Sequence, residues 1–226
     1  MVLIIVVRVL PLVEILVGAG GWDYFNVPGD RLRSYAKAFR TVEVNSTYYT
    51  IPPMPMVESW RKRVPETFEF TVRCNRELTN RLKKDTLDSS LEVFNRMKRI
   101  CSMLRANILH IQIPSTHRLD KEEIEKIEEF LSTASLRDTR LAWEIRVPSG
   151  EGRRNLLKVL EAHDAVHAVD LSKEDPAYES DIIYSRLFGK GFHNIYQFTN
   201  AELEQIDRKV KGSGAKKAYL NFHGTG

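Results

Sequence analysis

Glu43, Asn45 and Thr47 stand at every second position of the run Thr41-Val42-Glu43-Val44-Asn45-Ser46-Thr47-Tyr48-Tyr49. Thr41, Val42 and Val44 are β-branched, so the run opens as a buried strand. Period-two alternation then aims a carboxylate, an amide and a hydroxyl at one face. Three such groups on a buried strand are costly unless they bind each other or a ligand.

The same ending recurs along the chain. Apolar, β-rich runs finish at Arg73, at Gln112, at Glu144 with Arg146, at Asp170, at Arg186, and at Asn221 with His223; the first run ends in Gly20-Gly21-Trp22. Guanidinium forks match the oxygens of phosphate or carboxylate, so this set predicts a small anionic ligand. The ligand-binding candidates are Gly21, Trp22, Asn45, Thr47, Arg73, Gln112, Arg146, Arg186, Asn221 and His223. Carboxylates in unequal surroundings can divide acid and base work. Glu43 among amides and Glu144 beside Arg146 are the catalytic pair, with Asp170 third. The bland alternative is a polar plug, with Glu43 or Glu144 paired to Arg146 or Arg186. A divalent cation would draw on Glu43, Glu144, Asp170 and His223, but no His-rich ligand spacing is present and no metal ligand is assigned. His110, His163 and His167 read as packing or surface residues. No Gly-x-Ser-x-Gly elbow occurs, and Cys74 reads as a buried hydrophobe.

These groups need elements to hold them. Strands are predicted at 15–19, 41–44, 68–74, 108–114, 141–146, 165–170, 182–187 and 218–222. Helical spacing covers 30–39, 56–64, 89–104, 121–131, 153–162 and 200–210, and 76–84 reads as a polar loop. Strands alternating with helices argue for a parallel sheet, and eight repeats argue for a TIM-type (β/α)8 barrel. The barrel is trimmed: the sixth connection, 171–180, is short and turn-rich, and no eighth helix follows the last strand. Chemistry in such a barrel sits at the C-terminal strand ends, where the polar groups fall.

The 226 residues are 42% hydrophobic and 28% charged, an ordinary globular composition. They read as one domain, 15–226, behind an apolar extension, 1–14. Arg8, Pro11 and Glu14 interrupt that extension, which fits neither a signal peptide nor a spanning helix, so no membrane partner is expected. Two cysteines and no CxxC point to a reducing, cytoplasmic setting. The net charge of +4 is a small excess of 34 basic over 30 acidic residues. It favours anionic partners without the dense basic face of a dedicated nucleic-acid binder.

At these residues the sequence resembles the DUF72, or YecE-like, family. The resemblance runs from Val17 to Asn221 and is most specific at 41–49. Supporting segments are Val17-Gly18-Ala19-Gly20-Gly21-Trp22, Gln112-Ile113-Pro114, Ala142-Trp143-Glu144-Ile145-Arg146, Tyr184-Ser185-Arg186-Leu187-Phe188-Gly189 and Tyr219-Leu220-Asn221-Phe222. It implies a TIM-type barrel and no established activity. The chain departs from the family pattern at Arg73, where lysine is usual, at Asn80, Val147 and Phe188, where histidine is usual, near Gly150, and at Phe222-His223. Three functions stay open: an enzyme acting on a small phosphorylated or sugar-like anion, a nucleic-acid barrel of endonuclease IV-like plan, and a non-catalytic binding protein. The runs Arg61-Lys62-Arg63, 76–84 and 208–217 carry the second.

Overall fold

The structure is a computed structural model and describes residues 12–84, 86–134, 139–190 and 195–224. Most of the apolar extension therefore lies outside the described residues, and Glu14 already belongs to the first strand. The strands are β1 (Glu14–Ala19), β2 (Thr41–Val44), β3 (Glu69–Arg73), β4 (Ile108–Ile113), β5 (Arg140–Ile145), β6 (Val166–Ala168), β7 (Ile182–Leu187) and β8 (Lys217–Phe222). The helices are α1 (Arg31–Ala38), α2 (Met54–Lys62), α3 (Glu77–Lys84), α4 (Leu87–Leu104), α5 (Lys121–Thr133), α6 (Glu151–Ala162) and α7 (Asn200–Gly212). All strand pairs are parallel. The fold is a trimmed (β/α)8 barrel. Among the described residues no helix lies between β6 and β7, and none follows β8.

One reading needs correction. The polar stretch 76–84 is a helix, α3, and not a loop. Leu78 and Leu82, one turn apart, bury in the core shared with α4 and α5, and Thr79 is buried beside them. The Asn75 side chain accepts from the Glu77 backbone N–H at its start. Glu77 in the first turn and Arg81, Lys83 and Lys84 in the last suit the helix dipole. Two buried leucines among charges are too thin a stripe to stand out by periodicity.

The ladders form two sheets, β1-β8-β7 and β2-β3-β4-β5-β6. One seam, β6 to β7, is bridged at Val169 and Ser185. At the other, β1 to β2, the Tyr35 hydroxyl of α1 accepts from the Ala19 N–H at 2.7 Å and donates to the Thr41 carbonyl at 3.0 Å. A Cβ at Gly18 would strike that same carbonyl, so glycine permits the close approach of the two strands.

Register sets the interior. Leu16, Ile108, Ala142, Val166, Ala168, Tyr184 and Tyr219 pack together inside the barrel. The opposite faces of β2–β5 pack under α1–α6, and those of β7 and β8 under α7. No described helix is long and apolar enough to cross a membrane.

Candidate functional site

Toward the C-terminal ends of the strands the residues facing the same interior are polar. Glu43 pairs in register with Thr71, Arg73 with His110, Gln112 with Glu144, and Arg186 with Asn221. Period two therefore delivers carboxylates, guanidiniums and amides from six strands to the C-terminal mouth.

Arg186 organises them. Its Nε lies 3.0 Å from Glu43 Oε2, and its second terminal nitrogen lies 3.0 Å from Glu43 Oε1. The other terminal nitrogen donates to Glu144 Oε2 at 2.7 Å. Glu144 also takes Arg146 Nε at 2.6 Å and has His110 Nε2 at 3.0 Å. The Tyr184 hydroxyl donates to Glu43 Oε2 at 2.6 Å. Glu43 and Arg186 are fully buried.

This geometry fixes the charges. Burial by itself would raise the Glu43 carboxyl, but the Arg186 guanidinium overrides it and holds the group well below the usual carboxylate range. Burial and Arg186 oppose each other in the same way at Glu144, with the same outcome. Neither has the raised pKa that a general acid requires. Burial and the neighbouring Arg186 lower His110, and burial takes His223 down to about 3, so both imidazoles are neutral at pH 7.

Arg73 is held differently. It is 9% exposed. One terminal nitrogen donates to Gln112 Oε1 at 2.6 Å, the other reaches Asn45 Oδ1 at 3.4 Å, and the guanidinium lies 3.7 Å from the Tyr48 ring centroid. Its described partners include no carboxylate. Burial and repulsion from Arg186 both lower its pKa.

Above this layer opens a cavity of about 760 Å³, whose lining includes Gly20, Gly21, Trp22, Asn45, Arg73, Arg146, Arg186, Phe188 and His223. Asp23 is the one carboxylate in the lining among the described residues, and it is exposed. A Cβ at Gly20 would collide with the His223 ring and the Asn45 amide, so the glycine pair lets β1 close on the mouth. His223 stacks on Phe188 at 4.6 Å.

Seven of the sequence candidates thus reach the cavity: Gly21, Trp22, Asn45, Arg73, Arg146, Arg186 and His223. Glu43, Glu144 and Gln112 lie just beneath, holding arginines. Two are engaged elsewhere, and a third stays outside the lining. The Thr47 hydroxyl donates to the carbonyls of Val44 and Arg73, pinning the turn after β2. Asp170 accepts from the backbone N–H groups of Ser172 and Phe188 and from the Ser172 hydroxyl, so it fixes the loop after β6. Asn221 is fully buried, with both amide atoms unpartnered among the described residues, and lies outside the cavity lining.

His110, expected to be a packing or surface residue, and Tyr184, not among the candidates, are members of the layer. Each stands two residues before a chosen residue, Gln112 and Arg186, and so on the same face. A divalent cation does not fit here. Among the described residues no three His, Cys, Asp or Glu side chains gather as ligands, and a guanidinium occupies the place between Glu43 and Glu144. Cys74 and Cys101 are buried, with burial raising both thiols, Cys101 to about 12. The basic runs are largely engaged within the protein. Arg61 donates to the carbonyls of Phe68 and Pro65, Arg81 pairs with Glu92, and Lys211 pairs with Asp207.

The profile of a family described as "Protein of unknown function DUF72" matches residues 16–226. UPF0759 protein YunF of Bacillus subtilis (strain 168) is 30% identical over 92 residues, a match spanning 37% of this chain and 33% of that protein. A solved DUF72 family protein from Thermotoga maritima MSB8 superposes with a TM-score of 0.73 at 21% identity, covering 93% of this chain and 92% of that one. Another, from Enterococcus faecalis V583, gives 0.72 at 18% identity, covering 94% and 91%. Those two likenesses carry the barrel fold, and the profile match over nearly the whole chain carries the family: the chain belongs to DUF72.

Proposed function

We propose that the barrel mouth binds a small anionic ligand, phosphorylated or carboxylated, through Arg73, Arg146 and Arg186. The observation that carries this reading is the pairing of the three guanidiniums at the mouth. Glu43 and Glu144 are taken up by Arg186 and the exposed Arg146, whereas the buried Arg73 at the cavity wall is held by amide oxygens and has no carboxylate among its described partners. A buried cation without a counter-charge is costly in a free protein, and an incoming oxyanion relieves it. In this reading Glu43 and Glu144 are positioning residues. They hold Arg186 rigid and ionised, and proton transfer by carboxylates is not their task.

Calorimetric titration with inorganic phosphate tests the reading. Arg73→Gln is expected to weaken binding about 10- to 100-fold, the range for losing one charge-assisted hydrogen-bonded partner. Its melting temperature should stay level or rise, because the change deletes an unbalanced buried charge. Unchanged affinity in Arg73→Gln sinks the assignment. Binding confined to short DNA, fading steeply with salt and indifferent to Arg73, would favour the nucleic-acid alternative.

A further inference from the structure

We infer that the ligand's anionic group is carried on a planar unsaturated ring, and that Tyr24 and Tyr49 receive that ring; this deepens the anion-site reading and rests on it. Two large aromatic side chains are strongly exposed among the described residues, Tyr24 at 80% and Tyr49 at 65%. Both line the same cavity as the guanidiniums. The remaining strongly exposed large apolar residues, such as Leu12, Met103 and Leu203, are aliphatic and lie outside that lining. Chance would scatter exposed tyrosines over the surface, and here both flank one opening.

The wall between them is aromatic too. Trp22 meets Trp60 edge-on at 5.4 Å, and Phe25 meets Tyr35 and Phe39 edge-on at 5.6 and 6.2 Å. Trp22, Phe25 and Phe39 line the cavity, so the rings are braced from behind. The Trp22 carbonyl accepts from the Phe25 N–H, and Arg31 donates to the Asp23 carbonyl, which fixes the turn that presents Tyr24. Tyr49 follows directly on the Ser46–Tyr48 turn whose Tyr48 ring carries Arg73. The segment 46–49 therefore supplies half of the ring platform together with the support of the anion site. A cavity of about 760 Å³ is far larger than a bare phosphate needs and lies within the range for small-molecule sites. Aromatic faces offered to water beside fixed guanidiniums suit a ring stacked on tyrosine with its anionic group on the arginines.

The test is calorimetric titration of the whole chain with four probes: inorganic phosphate, glycerol phosphate, glucose 6-phosphate and phenyl phosphate. Phenyl phosphate is expected to bind about tenfold or more tighter than the other three, the scale of one aromatic stacking contact. In the doubly substituted Tyr24→Ala, Tyr49→Ala protein that preference should collapse towards unity. Both positions are exposed, so folding is not at stake, and circular dichroism checks it. Equal affinities for all four probes, or a preference that survives the double substitution, overturns the ring inference while the anion site stands. No binding by any probe overturns both.

Discussion

The barrel has a polar layer at each end, and the two are built differently. At the N-terminal end Glu14 pairs with Arg40 and Lys217, and Glu69 pairs with Lys217 while accepting from the Tyr219 hydroxyl. Arg140 pairs with Asp164 and Asp181 at the same end, and these side chains are open or partly open to water. At the C-terminal mouth three guanidiniums meet two carboxylates, the central pair is fully buried, and a cavity lies above. The polar plug weighed against a binding site at the mouth is thus a fair description of the other end. Buried ions alone do not mark function, because structural networks are ionic too. Full burial of the central pair, and a guanidinium with no described carboxylate partner beside open volume, separate the two layers.

Three measurements press on that contrast. The largest effect is expected from Arg186→Met, which leaves Glu43 and Glu144 buried without their shared cation. Chemical denaturation should show a loss of about 3–5 kcal/mol; a loss below 1 kcal/mol would mean the mouth is as loosely held as the base. Next is acid sensitivity. His223 has a folded pKa of about 3, depressed by burial from 6.5. A depressed group leaves stability full above the unfolded value and removes it as pH falls through the folded one. Stability should therefore decline from about pH 6.5 downward, with depressed His167 adding to the slope. Glu43 and Glu144, also depressed, add their loss below about pH 4.5. His223→Gln should flatten the upper part of that decline in a pH series of denaturant melts, and an unaltered slope would remove His223 from the account. The smallest effect belongs to Lys217→Met at the base. Its pairs are partly exposed, so the cost should be about 1 kcal/mol or less, with phosphate affinity unmoved. A change in affinity there would couple the two ends and undo the contrast.

Much of the mouth is legible in the sequence because strand period is rigid. Glu43 and Asn45, then Glu144 and Arg146, alternate on β-branched or apolar backgrounds, so their common face follows from spacing alone. Arg186 and Arg73 were found the same way. Period two gives a face but not a partner. Thr47 and Asp170 lie on the expected side, yet their short side chains close on backbone groups of the turns they sit in. His110 was legible in principle, two residues before Gln112, but a lone histidine in an apolar strand looks like packing until its neighbour across the sheet is known. Glu144 is that neighbour, and it is thirty-four positions away in the chain. The helix at 77–84 was hidden because charged residues fill all but one narrow side. Tyr24 and Tyr49 give no sequence signal at all, since exposure is a property of the folded surface.

The two seams also set an order of assembly. Strands β2 to β6 are contiguous in the chain and pair with successive neighbours, so their sheet needs only short-range closures. Among the described residues β1, the earliest strand, has its ladder only with β8, the latest. It must therefore wait, unpaired, through the synthesis of nearly everything between. Glu43 belongs to the early sheet and Arg186 to the late one. Until the late strands arrive, Glu43 is a carboxylate in an unfinished interior with no cation to meet. The buried layer at the mouth is thus among the last parts of the protein to come into existence, and Arg186 is held in place only in a chain that has finished folding.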